Sequence, residues 1–539
     1  MSPRSTAGCY TCKRRKKKCD ETQPHCLRCI RSGKECEGPL TLKNTEPTRS
    51  VAELLTGLPT PAFARLNPGM NTGHLLSYSP NDGNYWIDQH YQGVKFFQPS
   101  ERQSLPGHGQ LMGPGLPRAS ISEVKDEEDL EEGPKGPKQG ICLTPVPDAN
   151  TTDNTIPFIL QCYARWVNLV VYEPVKGILP LKETIVAKFM RSPGERTRII
   201  LLANAVGNLG KSLKPGPRTT SLITYLRSDA YQIIDNFISG KPASEREVDQ
   251  QNALETLDLM METVLIQRYS NSMLTIAKLM DAAAPIFRRA CPEPMDQYVN
   301  LPGAILSNSI NIRHFATTDV IISITTGRPM IFRYDITYPP GVLELIKKGY
   351  GMQFLHGVAD QYIVILAHIN VLAEELEPRA PVSPELVTEI ESQIREVEVS
   401  AERLADPVAT IWKFTVRECW RLTMYVYLYM VLCRTATDDP RVLKSVRTFV
   451  RLMEAVKPGR NPDSFLYIPL IIVGASAYQK YDRAVIQRRM NGLQECINPG
   501  SCGYDALNML IDLWARTEAE GRPAFWSDLR MSAFRVTGI

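Results

Sequence analysis

Six cysteines in the first forty residues constrain this chain more than any other feature. They read Cys9-x2-Cys12-x6-Cys19-x6-Cys26-x2-Cys29-x6-Cys36, one unit of C-x2-C-x6-C used twice. A segment this short cannot be held together by burial alone, so it folds around disulfides or metal. The doubling selects metal, because a disulfide knot, a redox site or two unrelated C-x2-C pairs would not require identical spacing in both halves. Thiolate-bound Zn2+ takes four tetrahedral ligands, so one ion would leave two cysteines unused, whereas two ions need eight bonds. Six thiolates supply eight bonds when two of them bridge, and by symmetry the bridges fall on Cys9 and Cys26. Cys12 and Cys19 then complete one ion, and Cys29 and Cys36 the other. Metal binding supplies most of such a head's folding free energy, and removing zinc is expected to unfold it.

Between Cys12 and Cys19 stand six consecutive cations: Lys13, Arg14, Arg15, Lys16, Lys17 and Lys18. A free charge run is usually a solvated tail, but this one is pinned at both ends to metal. It is expected to form a short helix after Cys12. That half can enter the major groove of double-stranded DNA, where Lys or Arg reads guanine O6 and N7 while the other charges hold phosphates. The second half carries only Arg28, Arg31 and Lys34, with Glu35 alongside, and reads as structural. Overall charge supports the division. Residues 1–40 sum to +6 against +4 for the whole chain, which leaves the remainder at −2. A basic head thus meets a polyanion and the body does not.

Residues 41–154 read as a largely disordered linker. Positions 38–150 contain 14 Pro and 13 Gly in 113 residues, a composition that buries too little apolar surface to fold. Ser50 to Glu53 has capping-box form ahead of Val51, Leu54, Leu55 and Leu58, a stripe stopped by Gly57 and Pro59. It is too short for a coiled coil. The aromatic cluster Tyr85, Trp86, Tyr91, Phe96 and Phe97 and the acidic run Asp126 to Glu132 offer docking points for a partner. Their plainer reading is an aromatic strand leaning on the body and a solvated charge run. Val124-Lys125-Asp126-Glu127 also fits the short pattern of a SUMO acceptor.

From residue 155 to 539 the period becomes helical, as in Met352 to Leu376 stopped by Pro378, Ser383 to Leu404, and Thr410 to Leu432. No sustained alternation of strands and no internal repeat occurs, so this part is expected to be a large all-α domain with its own core. No membrane partner is expected, because the longest apolar stretches, Thr423 to Cys433 and Tyr467 to Tyr478, fall short of a bilayer span. Met1 to Gly8 lacks the apolar run of a secretory leader, so an intracellular chain is expected.

The head resembles the fungal binuclear zinc cluster (Zn2Cys6) transcription factors. The likeness rests on the six cysteines, the block Lys13 to Lys18, the Cys19-Asp20-Glu21 step and Pro24 two residues before Cys26. It implies two Zn2+ ions with bridging thiolates at Cys9 and Cys26, agreeing with the bond count. It implies that Lys16 is the main base-reading lysine, with Arg15 beside it, and that CGG-type triplets are read. Asp319-Val320 through Thr326-Gly327-Arg328-Pro329 resembles a stretch of the helical regulatory domain that follows the cluster in many members. Many members also pair through a short coiled coil after the cluster. None is legible here, so pairing as a homodimer would fall to the helical domain.

The resemblance implies a nuclear, sequence-specific regulator of RNA polymerase II transcription, with Lys13 to Lys18 doubling as an import signal. Two other readings use the same residues. The head could be a protein-interaction module, but six uninterrupted cations suit phosphates better than a protein surface. Alternatively the body could be an enzyme that the head tethers to chromatin, but no catalytic constellation with workable spacing follows residue 155, and a non-enzyme is expected.

Gly207-Asn208-Leu209-Gly210-Lys211-Ser212 imitates part of a phosphate-binding loop. The earlier glycine that loop needs is replaced by Ala205, so a helix end capped at Gly210 is expected. The seven histidines form no ligand pair, and His368 is expected to be a satisfied core residue. The scattered Cys142, Cys162, Cys291, Cys419, Cys433, Cys496 and Cys502 read as small apolar filler. Arg328 is expected either to bind an acidic effector or to close a helix end by pairing with a buried carboxylate such as Asp319.

Overall fold

Serine and proline set where the helices of this chain begin. The computed structural model describes residues 10–20, 26–32, 154–376, 381–397 and 407–539. Readings that fall on Cys142 and on the linker motifs between residues 41 and 153 lie outside the described residues. The head and the body are separate units and are taken in turn.

The head contains two five-residue helices, α1 (Tyr10–Arg14) and α2 (Leu27–Arg31). The body opens with α3 (Thr155–Val170), α4 (Pro174–Arg191), α5 (Pro193–Leu209), α6 (Pro217–Ser239), α7 (Arg246–Gln267) and α8 (Met273–Ala290). It continues with α9 (Leu301–Ile305), α10 (Ile310–Thr326), α11 (Val342–Lys347), α12 (Gln353–His356), α13 (Asp360–Glu375) and α14 (Pro384–Glu396). Then come α15 (Pro407–Tyr427), α16 (Pro440–Ala455), α17 (Arg460–Asp463), α18 (Tyr467–Ala475), α19 (Lys480–Asn491), α20 (Gln494–Ile497), α21 (Cys502–Ala519) and α22 (Trp526–Thr537). No β-strand occurs among the described residues, only an isolated bridge between Asn300 and Asp335. The expected all-α body is what forms.

Proline holds the first turn of α4, α5, α6, α14 and α16, where its missing N–H costs nothing. Side chains of Ser192, Ser272, Ser309, Ser383 and Ser501 accept the N–H three residues on, each cap contributing about 1 kcal/mol.

The body buries two apolar clusters. The smaller joins α3 to α6 through Ile159, Trp166, Phe189, Leu202 and Leu226. The larger runs from α6 to α22, with Phe287 stacked on Phe315 at 4.1 Å and Tyr427 edge-on to Trp526 at 5.1 Å. An ion pair is sunk in this core: Arg489 and Asp463, 3% and 2% exposed, meet at 3.1 Å, and the same guanidinium donates to the carbonyls of Met453 and Val456. Charges that deep persist only when every donor finds an acceptor.

Three expected helices differ from the sequence reading: the one expected over Ser383 to Leu404 ends at Glu396, where Val397 turns extended. Met352 to Leu376 is divided by Gly357, whose φ of 72° closes α12 before α13 starts. Periodicity cannot register such a break, because the apolar stripe continues on both sides. The apolar stretch ending at Leu432 starts at Pro407, and its last turn, Leu428–Leu432, widens to π geometry. None of the described helices is long and apolar enough to cross a membrane.

Candidate metal centre and nucleic-acid interface

Both copies of the cysteine unit fold alike. In each, a helix starts one residue after the first cysteine, α1 at Tyr10 and α2 at Leu27. The sixth residue after that cysteine returns its N–H to the second, Arg15 to the carbonyl of Thr11 and Ser32 to that of Arg28, both at 3.1 Å. Spacing repeated in sequence is therefore repeated as backbone geometry. Two side chains tie the halves together. The Asp20 carboxylate accepts the N–H groups of Leu27 at 2.9 Å and Arg28 at 2.7 Å, capping α2. Arg15 donates from Nη1 to Ser32 Oγ at 2.9 Å, joining equivalent positions of the two copies.

Cys12, Cys26 and Cys29 bring their sulfurs within 4.8 Å of one another, and all three are buried. Cys12 Sγ lies 3.6 Å from the Sγ atoms of both Cys26 and Cys29. Zn–S bonds of about 2.3 Å in a tetrahedron place sulfurs about 3.8 Å apart, so the Cys12–Cys26 spacing suits two thiolates on one zinc, while Cys29, expected on the other ion, stands equally near Cys12. Cys26 Sγ also accepts the Cys29 N–H at 3.3 Å, which favours the charged thiolate. Cys19 is buried in the same cluster but outside that closest group. Cys9 and Cys36 lie outside the described residues, as does the side chain of Lys13. The thiols that are described thus fit a zinc centre, and Cys12, Cys19, Cys26 and Cys29 would hold the metal there.

Only part of the cation run is helical, since α1 stops at Arg14. Lys16 then takes φ 54°, and Lys17 N–H reaches back to the Cys12 carbonyl at 3.0 Å. This is the left-handed helix closure that glycine usually supplies, here made by lysine. The expected helix after Cys12 is therefore corrected: α1 begins at Tyr10, contains Cys12 and takes in only Lys13 and Arg14 of the run, and Lys16 stands at a fixed bend after it. Arg14, Arg15, Lys16, Lys17 and Lys18 are all exposed beside the buried thiols. Five cations anchored to a buried thiol cluster present a rigid positive edge to a phosphate backbone. The tie from Arg15 to Ser32 was not legible in the sequence, and the matched positions of the two copies were the signal for it.

Elsewhere the body turns the remaining motifs to packing. A Cβ at Gly207 would stand 2.5 Å from Cys162 Sγ, and one at Gly210 would meet Arg165 Cγ at 3.1 Å and Trp166 N at 3.2 Å. These glycines let α3 cross α5 closely, which accounts for a sequence that imitates a phosphate loop. Gly210 does cap α5, in right-handed geometry. Gly327 ends α10 with φ 68°. Arg328 pairs with Asp281 at 2.7 Å rather than with Asp319. The Asp319 oxygens are already taken by the N–H groups of Ile331 and Phe332 at 2.8 and 3.2 Å and by the Tyr334 hydroxyl at 2.9 Å. Burial pushes the Asp319 carboxyl up to about 6 against these donors. Cys162, Cys291, Cys419 and Cys496 are buried filler as expected, and burial raises their thiol pKa values. His368 is half-buried and has no hydrogen-bond partner among the described residues, so it is not a satisfied core histidine. His314 is the buried one. It stacks on His356 at 5.9 Å, and burial, with Arg268 adding to it, holds its ring down to about 3.

A small thiol-held head with a cationic edge, in a chain whose body is wholly helical, defines a zinc-dependent regulator class. Residues 7–45 match the Fungal Zn(2)-Cys(6) binuclear cluster domain, which holds two zinc ions, and residues 197–531 match the Fungal specific transcription factor domain. The chain belongs to this fungal specific transcription factor family. Over 35 residues it is 57% identical to "Transcriptional regulatory protein moc3" of Schizosaccharomyces pombe, covering 6% of this chain and 7% of that one. Over 96 residues it is 48% identical to "Aspercryptin biosynthesis cluster-specific transcription regulator atnN" of Emericella nidulans, covering 17% and 16%. It is 26% identical over 146 residues to "Transcription factor lfc1" of Flammulina velutipes, covering 27% of this chain and 50% of that one. The chain thus spans at most half the length of these relatives. No solved structure matches it.

Proposed function

We propose that this chain is a nuclear, sequence-specific DNA-binding regulator of RNA polymerase II transcription. Its head is residues 1–40, its linker 41–154 and its regulatory body 155–539. The observation that carries the reading is the exposed run Arg14 to Lys18 fixed beside the buried thiols of Cys12, Cys26 and Cys29. In this reading Cys9, Cys12, Cys19, Cys26, Cys29 and Cys36 hold two Zn2+ ions, with Cys9 and Cys26 bridging. Lys16, placed at the bend after α1, reads the guanines of a CGG-type triplet, while Lys13, Arg14, Arg15, Lys17 and Lys18 hold phosphates. Arg15 spends part of its bonding on Ser32. The matched families support a regulator rather than an enzyme. Pairing of two copies through the body, and docking of a coactivator or corepressor on the linker, complete the proposal.

The test is selection of bound sites from random duplex DNA by the zinc-loaded full-length protein. Enrichment of CGG-like triplets is expected, and their recurrence in pairs at fixed spacing supports a homodimer. Failure to enrich any sequence from the folded protein would refute DNA recognition and favour a protein-binding head.

A further inference from the structure

A cavity of about 610 Å³ lies among α11, α13, α14 and the segment before α11. That volume falls within the range of about 300–1,000 Å³ usual for small-molecule sites. Its floor is apolar, built by Ile336, Leu343, Val364 and Ile365. Besides Gln393, which donates to Glu389 at 3.3 Å, three uncharged polar side chains line it: Tyr338, Gln361 and His368. None of these three hydrogen-bonds to another described residue, although each is held by a helix or a helix-flanking segment that could have supplied a partner.

Lys347 and Glu396 both line the cavity: Lys347 Nζ is paired with Glu344 at 3.1 Å, whereas Glu396 accepts only the Ser392 hydroxyl, at 2.8 Å, and keeps its negative charge. An anion entering the cavity would meet the Glu396 carboxylate and find the lysine that lines it already paired. An uncharged apolar molecule meets no such opposition and gains contact with the floor. His368 behaves as a neutral group as well, because burial lowers its pKa, with Glu389 opposing in part.

We propose that this cavity binds an uncharged, mostly apolar small molecule whose hydrogen-bonding groups meet Tyr338, Gln361 and His368. The inference stands on the cavity alone and does not depend on what the head recognises. Occupancy would tie the short α11 to α13 and α14, so a ligand would stiffen this side of the body.

The experiment titrates zinc-loaded full-length protein with N-phenyl-1-naphthylamine, an uncharged fluorophore of this class. In parallel it uses 1-anilinonaphthalene-8-sulfonate, which adds an anionic group to a similar ring body. The uncharged probe is expected to bind at one saturable site, about tenfold or more tighter than the anionic one. Leu343→Trp and Ile336→Trp fill the cavity from two different walls, and each is expected to weaken the uncharged probe at least about tenfold with helical content unchanged by circular dichroism. Ile411→Trp, on the exposed face of α15, is expected to leave binding as it was. Absence of saturable binding would overturn the proposal. So would equal affinity for the two probes, or binding untouched by whichever filling variant keeps its helices.

Discussion

Replacing Lys16 with glycine separates what this residue does for the backbone from what it does for DNA. Its φ of 54° costs an L-residue about 1–2 kcal/mol, and glycine removes that strain while adding about 0.5–1 kcal/mol of unfolded-chain entropy. Lys16→Gly should therefore leave the head as stable as before or stabilise it by up to about 1.5 kcal/mol. Lys16→Ala keeps the strain and gives no such gain. The second copy of the cysteine unit carries Gly33 at the matching position. DNA binding should respond oppositely: both variants lose the ammonium, and both should lose about 1–3 kcal/mol on a selected site and discriminate poorly against scrambled duplex. Zinc retention against a competing chelator reads the first quantity, and fluorescence anisotropy at two salt concentrations reads the second. Earlier release of zinc from Lys16→Gly than from Lys16→Ala would refute the backbone argument. Equal loss on selected and scrambled DNA, with the log-log salt slope smaller by about 0.9, would reduce Lys16 to a phosphate contact.

Asp20→Ala removes the acceptor for two N–H groups of α2, a cap worth about 1–2 kcal/mol, and because metal binding and folding are coupled the head's zinc affinity should fall about five- to thirtyfold. Unchanged affinity in a chelator competition would show that Asp20 does not join the two halves. Gly207→Ala drives a methyl into Cys162 and should cost the body about 1–3 kcal/mol in urea unfolding, most of it returned by adding Cys162→Ala. A double variant as unstable as the single would place the strain elsewhere. His314, held neutral down to about 3 in the fold but titrating near 6.5 when unfolded, contributes stability that is present above pH 6.5 and lost as pH falls below it. Relative to His314→Gln, the wild type should lose about 1.4 kcal/mol per pH unit between pH 6.5 and 4.5. Parallel pH profiles for the two proteins would contradict this.

The head was legible because metal ligation turns spacing into geometry. Zinc's four-bond requirement acts on cysteine positions directly, and no distant residue has to be known. Helix starts were legible for a similar reason, since Ser383 caps an N–H three residues away and Pro384 fits the turn it occupies. Partner choice across the fold was not. Arg328 looked equally able to reach Asp319, and only the folded chain shows that oxygen already claimed by the turn at Ile331 and Phe332. Gly207 and Gly210 carried a true signal, that backbones approach closely there, but a phosphate and a crossing helix demand the same missing Cβ. His368 looked like core because its helix is apolar, yet the face it occupies opens on a cavity formed with the segment Ile336 to Lys347 before it and α14 after it.

The doubled unit also explains why function, and not only fold, could be read from the head. Among the described residues the two copies share a five-residue helix and one matching backbone bond, so much of what distinguishes them lies in the side chains at matching positions. Lys13 to Lys18 in the first copy correspond in sequence to Ile30, Arg31, Ser32, Gly33, Lys34 and Glu35 in the second. Six cations stand against two, with one of the first copy's cations, Arg15, spent on holding its counterpart Ser32. A scaffold that metal alone would stabilise has no need of that asymmetry. Packing like charges side by side raises the cost of folding, and a polyanion that neutralises them offsets it.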